Sequence, residues 1–246
     1  MLFISGTGGD LRQSPSIFDS FLARHFQILA YDQRGLGLSD RPDIPYTMSD
    51  YATDADRLLG AVGWDDCFVM GISFGGMVAQ EFALNYPQRV KKLVLGCTSS
   101  GGAGGDSYPL HNLSHLPIRE RATRIVVLSD TRRDENWQVA NPEMFQEFID
   151  MTVARFSVGA GEPGRETGAR RQLEARLGHD TYARLPHLNM PVLVCGGRYD
   201  SIAPMANLEA ICSRVPQARL ELFEGGHLFF LQDPKAFETI RLFLTD

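Results

Sequence analysis

The chain has little cysteine, no long hydrophobic run and no excess of basic residues. Its four cysteines are widely spaced and mostly lie in or beside apolar runs, so we expect small buried side chains rather than disulfides. No apolar run approaches the roughly 20 residues of a membrane span, and the first residues lack the basic start of a signal peptide. These absences predict a protein of the reducing cytoplasm that does not enter a membrane.

The charge balance argues against nucleic acid as a partner. The 24 lysines and arginines are outnumbered by 30 aspartates and glutamates, which gives a formal net charge of -6. Proteins that bind a phosphate backbone need a basic surface that displaces counterions. A small molecule is therefore the expected partner.

Short apolar runs alternate with amphipathic stretches, which is typical of βαβ units and predicts an α/β fold with a mostly parallel sheet. Thr47 and Asp50 form a capping-box pattern before a helical repeat, and Pro204 and Pro234 stand where prolines begin helices. The stretch Met77 to Leu84 has the pattern of an amphipathic helix. The predicted strands are Leu2 to Ser5, Gln27 to Tyr31, Cys67 to Met70, Lys92 to Gly96, Val192 to Cys195 and Arg219 to Phe223.

The alternation stops between residues 98 and 188, which predicts an insertion between a core formed by residues 1–97 and 189–246. Glycine-rich loops flank helical patterns there, the clearest from Pro142 to Phe156. Ordinary packing and a wall facing a substrate both explain the apolar stripe of that helix. The stripe contains Phe145, Phe148, Ile149, Thr152 and Phe156.

The strongest local motif is the G-x-S-x-G sequence from Gly71 to Gly75, which follows an apolar run and precedes a helical pattern. A nucleophile on a sharp strand-to-helix turn leaves little room two residues to either side, so glycine is favoured there. Helix amides at the same place favour negative charge that develops on a substrate oxygen. The motif predicts that Ser73 is a nucleophile.

A serine hydroxyl needs a base, and the base needs a carboxylate that fixes its tautomer. Asp200 follows the apolar run Val192 to Cys195 after a short loop, and His227 follows the last predicted strand after Glu224-Gly225-Gly226. The order Ser, Asp, His is that of α/β-hydrolases. We therefore predict a triad of Ser73, His227 and Asp200.

With these motifs the chain resembles the α/β-hydrolase superfamily over everything outside the insertion. The loop from Asp32 to Asp40 resembles the family's D-x-R-G-x-G-x-S loop, and Gly197 to Asp200 resembles its acid loop. Within the superfamily, short motifs are most similar to the group of 3-oxoadipate enol-lactonases and cofactor-free haloperoxidase-like esterases. The resemblance implies that residues 98–188 form a helical cap over the active site. Those motifs are Tyr46-Thr47-Met48, Leu93-Val94-Leu95 and Cys97-Thr98.

Two features depart from the family pattern. Ser5 to Gly9 replaces the usual His-Gly, although the resemblance still assigns the oxyanion-hole amides to Thr7 and Phe74. The usual N-terminal hairpin is also missing, through a real loss or a misassigned start codon. Gln27 to Tyr31 then becomes an open sheet edge, and such an edge tends to recruit another strand. We expect the insertion to cover it or a second copy of the chain to pair with it.

Other interpretations of single motifs explain fewer residues. Gly6 to Gly9 with Asp32 is similar to a dinucleotide fingerprint, but its third glycine is missing and the predicted triad stays unexplained. His111 and His115 have a spacing that zinc ligands use, yet no third ligand is near in the sequence. Asp32, Arg34 and Asp40 are better explained as residues that stabilise a loop than as acid and base.

The sequence thus predicts a serine hydrolase that cleaves a carboxylic ester or lactone through an acyl-enzyme. No cofactor or metal is required, because the nucleophile, base and oxyanion donors are all protein groups. Three alternatives stay open: a C–C hydrolase or lyase, a thioesterase, and a ligand receptor that keeps the triad. Arginines of the insertion hold a substrate carboxylate or face water, and the pattern favours water. They are Arg119, Arg121, Arg124, Arg132 and Arg133.

Overall fold

Six parallel strands form one sheet in the order β2-β1-β3-β4-β5-β6. The structure is a computed structural model that describes residues 1–246. The α/β architecture and the number of strands agree with the prediction, and the observed strands differ from the predicted ones by a few residues at their ends. The strands are β1 Leu2–Ile4, β2 Leu29–Ala30, β3 Cys67–Ile72, β4 Val90–Gly96, β5 Val192–Gly197 and β6 Ala218–Phe223.

Nine α-helices and several short 3-10 turns connect the strands. No helix combines the length and the apolar character that a membrane crossing needs. The helices are α1 Met48–Ala61, α2 Phe74–Asn85, α3 Ile118–Leu128, α4 Glu135–Ala140, α5 Pro142–Ser157, α6 Arg165–Leu177, α7 Met205–Arg214, α8 Phe229–Gln232 and α9 Lys235–Thr245.

The central strands are apolar apart from Lys91 and Lys92 near the start of β4, because both faces of the sheet are covered. Successive side chains of a strand point to opposite faces, so Leu93 and Leu95 belong to one core cluster and Val94 to another. Buried side chains of α1, α2 and α7 complete the first cluster, and those of α9 complete the second. The sheet therefore holds the carboxyl ends of its strands in a rigid, doubly covered layer.

Two predictions about helices have different outcomes. Thr47 caps α1 in a complete capping box with Asp50, as the sequence predicts. The amphipathic pattern from Met77 to Leu84 is misleading, because ten of the twelve residues of α2 are buried. Each of its two buried polar side chains has a partner from the insertion: Gln80 accepts a hydrogen bond from Thr181, and Glu81 forms an ion pair with Arg184.

Residues 98–188 contain α3 to α6 and lie between β4 and β5 in the chain. Their own hydrophobic cluster has only three fully buried members, Ala122, Val126 and Ile149. The predicted stripe of α5 supplies half-buried rings to this cluster, and the Phe148 ring stacks on Trp137 at 6.3 Å. The stripe therefore packs α5 against its helical neighbours.

The predicted sheet edge is present. Strand β2 pairs with β1 on one side only. It is two residues long, so it offers few unpaired amides and carbonyls to another strand. Pairing of a second copy at this edge stays a prediction.

Candidate active site

The turn between β3 and α2 presents Ser73 at the carboxyl edge of the sheet. Ser73 has φ 54° and ψ -121°, a conformation that non-glycine residues rarely adopt and that stores strain. Its amide donates to the carbonyl of Gly96 at the end of β4, and its carbonyl accepts from the Thr98 hydroxyl at 2.8 Å. These contacts fix the strained turn, and the side chain is 7% exposed.

Steric crowding explains both glycines of the motif. A Cβ on Gly71 would lie 2.2 Å from the carbonyl oxygen of Gly75, and a Cβ on Gly75 would lie 2.1 Å from that of Ile4. Contacts this close to backbone atoms require the chain to move. Gly71 therefore lets α2 approach β3, and Gly75 lets the turn approach β1, which is the crowding that the sequence predicts.

Asp200 lies in the loop after β5, with its side chain almost fully buried. One carboxylate oxygen, Oδ1, accepts the amides of Ile202 and Ala203 at 2.7 and 3.0 Å. The other oxygen, Oδ2, lies 2.7 Å from Nδ1 of His227. The acid is thus fixed by its own loop and has one oxygen left for the imidazole.

His227 lies between Asp200 and Ser73. Its Nε2 is 3.0 Å from the hydroxyl oxygen of Ser73. In the tautomer that satisfies both contacts, Nδ1–H donates to Asp200, and Nε2 accepts from the Ser73 hydroxyl. The structure brings together the three side chains that the sequence singles out, although more than 150 residues separate the first from the last.

A segment of the insertion, residues 128–131, binds the loop that carries Asp200 and the loop that carries His227. The carbonyl of Ser129 accepts the amide of His227 at 2.6 Å, and the amide of Thr131 donates to the carbonyl of Tyr199, beside the acid. This approach explains Gly226, because a Cβ there would lie 1.8 Å from the Ser129 oxygen. The insertion therefore helps to set the position of the imidazole.

Asp130 extends this contact through Gln232, and the sequence analysis named neither residue. Its carboxylate accepts Nε2 of Gln232 at 2.9 Å, and Oε1 of Gln232 accepts the amide of Gly226 at 2.7 Å. Arg132 forms two further hydrogen bonds to Asp130 and lies 4.4 Å from the Tyr199 ring centroid. No local motif marks Asp130 and Gln232, because these two residues lie about 100 residues apart in the chain.

The proposed oxyanion donors lie beside the nucleophile. Phe74 is the first residue of α2, so its amide has no acceptor within the helix. The amide of Thr7 makes no hydrogen bond within the protein. The loop that carries Thr7 contacts the turn between β3 and α2, which we call the elbow, since a Cβ on Gly6 would lie 3.3 Å from Cβ of Ser73.

The loop after β2 has the contacts of a structural element. The two carboxylate oxygens of Asp32 accept the amides of Leu11 and Leu38, and Arg34 forms a two-point ion pair with Asp54. Only the backbone carbonyl of Asp40 takes part, as acceptor for the Gly35 amide. Asp32 thus joins the loop after β1 to the loop after β2, and this structural role explains it better than contact with the ribose of a dinucleotide.

The histidine pair of the insertion does not form a helix face. His111 lies in a short 3-10 turn that ends at Leu113, before His115. No group of three or more His, Cys, Asp or Glu side chains is placed to hold a metal ion.

Comparisons with known proteins agree with this fold. Residues 1–234 match the family model described as the alpha/beta hydrolase fold. The chain is 27% identical to a poly(3-hydroxyalkanoate) depolymerase of Ectopseudomonas oleovorans over 238 residues, 96% of this chain and 80% of that protein. It is 25% identical to 3-oxoadipate enol-lactonase 2 of Acinetobacter baylyi over 237 residues, 96% of this chain and 85% of that protein.

A solved structure of a hydrolase from Pseudomonas aeruginosa PA01 superposes on the whole chain with a TM-score of 0.79. It is 27% identical, and the match covers 89% of its length. The predicted resemblance to the superfamily, and to the group that contains enol-lactonases, is confirmed. Because the family match spans nearly the whole sequence and the sheet has the expected topology, the chain belongs to the α/β-hydrolase fold family and is a hydrolase.

Proposed function

We propose that this hydrolase cleaves a carboxylic ester or lactone through an acyl-enzyme formed on Ser73. The observation that carries the proposal is the unbroken chain of contacts from Ser73 Oγ to His227 Nε2 at 3.0 Å and from His227 Nδ1 to Asp200 Oδ2 at 2.7 Å. Both separations lie within the range of hydrogen bonds, so a proton can move directly from nucleophile to base. Relatives named as a depolymerase and an enol-lactonase support ester and lactone chemistry.

In the first step, the Ser73 oxygen forms a bond to the carbonyl carbon while its proton passes to Nε2 of His227. Asp200 keeps its charge and stabilises the imidazolium that results. The amides of Thr7 and Phe74 stabilise the negative charge that develops on the carbonyl oxygen. The tetrahedral intermediate collapses, and His227 returns the proton to the leaving alkoxide.

In the second step, a water molecule replaces the alcohol. His227 takes a proton from this water as its oxygen attacks the acyl carbon, and the bond to Ser73 then breaks. The products are a carboxylic acid and an alcohol, which remain one molecule when the substrate is a lactone. All proton transfers use protein groups.

We further propose that residues 98–188 act as the cap over this site. We also propose that the enzyme works in the cytoplasm. The support is positional: the insertion begins directly after β4, and its segment 128–131 contacts both triad loops. A cap so attached borders the space in front of Ser73. Its side chains would then choose the substrate, while the sheet supplies the nucleophile.

The test compares Ser73→Ala with Ser213→Ala on a panel of p-nitrophenyl esters, lactones, thioesters and a β-diketone. Ser213 is an exposed serine that contacts only its own helix, so it controls for the same chemical change. We expect Ser73→Ala to lower kcat/KM for esters or lactones at least about 1000-fold and Ser213→Ala to change nothing.

A fluorophosphonate probe gives an independent readout. It should modify the peptide that contains Ser73, as detected by mass spectrometry, and leave the Ser73→Ala variant unmodified. Turnover of the β-diketone or of thioesters alone would replace the proposal with C–C or thioester hydrolysis. Tight binding of an intact ester without turnover would indicate a receptor.

A further inference from the structure

A cavity lies beside α2. Its volume is about 280 Å³, and its walls come from α2, from the segment after β4 and from α6. Neither Ser73 nor His227 lines it. The wall residues that matter here are Met77, Ser99, Asp106, Ser107, Arg176 and His179. We call it the Arg176 cavity.

Arg176 is a buried cation without a counter-ion. It is 8% exposed, and none of the ion pairs in the protein includes it. Its one hydrogen bond within the protein runs from Nη2 to the Ser107 hydroxyl at 2.6 Å, and its Nε has no partner. Burial lowers the pKa of Arg176 to about 10, so the side chain stays charged at neutral pH. An unpaired buried charge is costly, and an anionic ligand would offset that cost.

Two other wall residues have polar atoms without partners in the protein, the Ser99 hydroxyl and Nδ1 of His179. His179 is 5% exposed, and its Nε2 donates to the Ser99 carbonyl at 3.1 Å. Burial lowers the pKa of His179 to about 4, so the ring is neutral at neutral pH and Nδ1 is an acceptor. Both atoms are buried behind the cavity wall, so the guanidinium of Arg176 is the charged donor of this cavity.

The position of the cavity links it to the reacting atoms. Met77 lies one helical turn after Ser73, about 6 Å along α2. Gln172, one turn before Arg176 on α6, accepts the amide of Gly8 at 2.9 Å, next to the oxyanion donor Thr7. Helix α6 therefore borders both the Arg176 cavity and the loop that carries Thr7.

The other charges nearby leave Arg176 available. Asp106 is the only carboxylate of the cavity wall. Its charge acts to raise the pKa of Arg176, but it is exposed to solvent and does not come within ion-pair distance. Four of the five arginines that the sequence suggested are engaged elsewhere, and Arg124 is exposed to solvent. Arg119 pairs with Asp150 and Arg132 with Asp130. Arg121 and Arg133 lie over the rings of Phe156 and Phe148.

We propose that the Arg176 cavity binds a carboxylate of the substrate, so that the enzyme prefers esters or lactones that carry a free carboxylate. The Arg176 guanidinium would donate to the carboxylate. This inference rests on the proposed function, because it assigns the substrate class of the same nucleophile. Arg176 would then determine specificity without touching the scissile bond.

The test measures kcat/KM for p-nitrophenyl hydrogen glutarate and for its neutral analogue, p-nitrophenyl pentanoate. We expect the unaltered enzyme to prefer the acidic ester. Arg176→Met should lower the acidic-to-neutral ratio about 10- to 100-fold, mainly through KM, because a charge-assisted hydrogen bond is lost. Arg170→Met, on the exposed side of the same helix, is the matched control and should leave the ratio unchanged.

A second measurement covers the outcome in which Arg176→Met does not fold. Glutarate should inhibit the unaltered enzyme competitively, and its neutral diamide should inhibit at least 10-fold more weakly. Equal inhibition by the two, or an unchanged ratio in folded Arg176→Met, would overturn the inference while ester hydrolysis by Ser73 still stood. Absence of any Ser73-dependent hydrolysis would instead reject the proposed function.

Discussion

The sheet half of the molecule, residues 1–97 and 189–246, and the insertion, residues 98–188, are held together in different ways. In the sheet half, side chains such as Leu93 and Phe82 are completely buried in two large clusters. In the insertion, α5 is sixteen residues long but buries only Ile149, and half-buried rings and exposed ion pairs do much of the packing.

The difference in packing matters for two tasks, holding the nucleophile in place and choosing the substrate. A strained backbone such as that of Ser73 persists only where the surroundings over-determine it, and the doubly covered sheet provides such surroundings. The insertion contacts the acid and histidine loops through residues 128–131 and the Ser73 turn through Thr98, whereas α4 and α5 bury only one residue between them. We infer that the nucleophile depends on the rigid half and that substrate choice depends on the looser half.

The largest expected effect separates two aspartates of the sheet half. Asp200→Asn should lower kcat about 1000- to 10000-fold, because an amide no longer fixes the imidazole tautomer or stabilises its charge. Asp32→Asn removes an acceptor from a loop and should leave kcat within a few-fold of the unaltered enzyme. Steady-state kinetics on an ester measure both. Similar losses in the two variants would mean that the acid is wrongly assigned.

The next effect compares the same ring deletion in the two halves. Phe82→Ala removes a fully buried ring from the main core and should lower the free energy of unfolding by about 3–5 kcal/mol. Phe148→Ala removes a half-buried ring from the insertion and should cost about 1 kcal/mol. Urea unfolding measures both changes. Equal costs would show that the insertion is packed as tightly as the sheet half.

A third prediction concerns the contact between the halves. Burial acts to raise the pKa of Asp130, but hydrogen bonds from Arg132 and Gln232 outweigh it and hold the pKa below its usual value. A carboxylate with a lowered pKa stabilises the fold at neutral pH, and this contribution is lost as the pH falls through the folded-state pKa. Asp130→Asn should therefore cost about 1–3 kcal/mol at pH 7.

The pH dependence checks the sign of that prediction. Urea unfolding of the unaltered protein and of Asp130→Asn should be compared between pH 7 and pH 3. The difference between their free energies of unfolding should shrink below about pH 4, where free aspartate takes up its proton. Asp150→Asn, in an exposed ion pair of the insertion, serves as control. A difference that stays constant with pH would mean that the charge of Asp130 does not stabilise the contact.

The smallest expected effect lies on the surface of the insertion. Arg119→Ala breaks the exposed pair with Asp150, whose atoms are 3.0 Å apart, and should change the free energy of unfolding by less than about 0.5 kcal/mol. Thermal or urea unfolding checks this value. A loss above about 1 kcal/mol would show that surface charges hold the insertion more strongly than its packing suggests.

Prediction from sequence succeeded where local chemistry leaves one solution. Alternating apolar runs located all six strands, and the capping box of Thr47 located the start of α1. The G-x-S-x-G motif located the elbow, because only glycine fits against the backbone at positions 71 and 75. Helix α2 was misjudged as amphipathic, since its partners Thr181 and Arg184 come from the far end of the insertion.

The sequence by itself determined the parallel sheet, the order of its motifs and the identity of three polar residues at strand ends, because hydrophobic period and turn chemistry act over a few residues. Only the tertiary structure decided the distances between those residues, the contact of Asp130 and Gln232 with the histidine loop, and the burial of Arg176 without an ion pair. Burial and pairing of a side chain depend on neighbours about 100 residues away in the chain, and no local pattern encodes them.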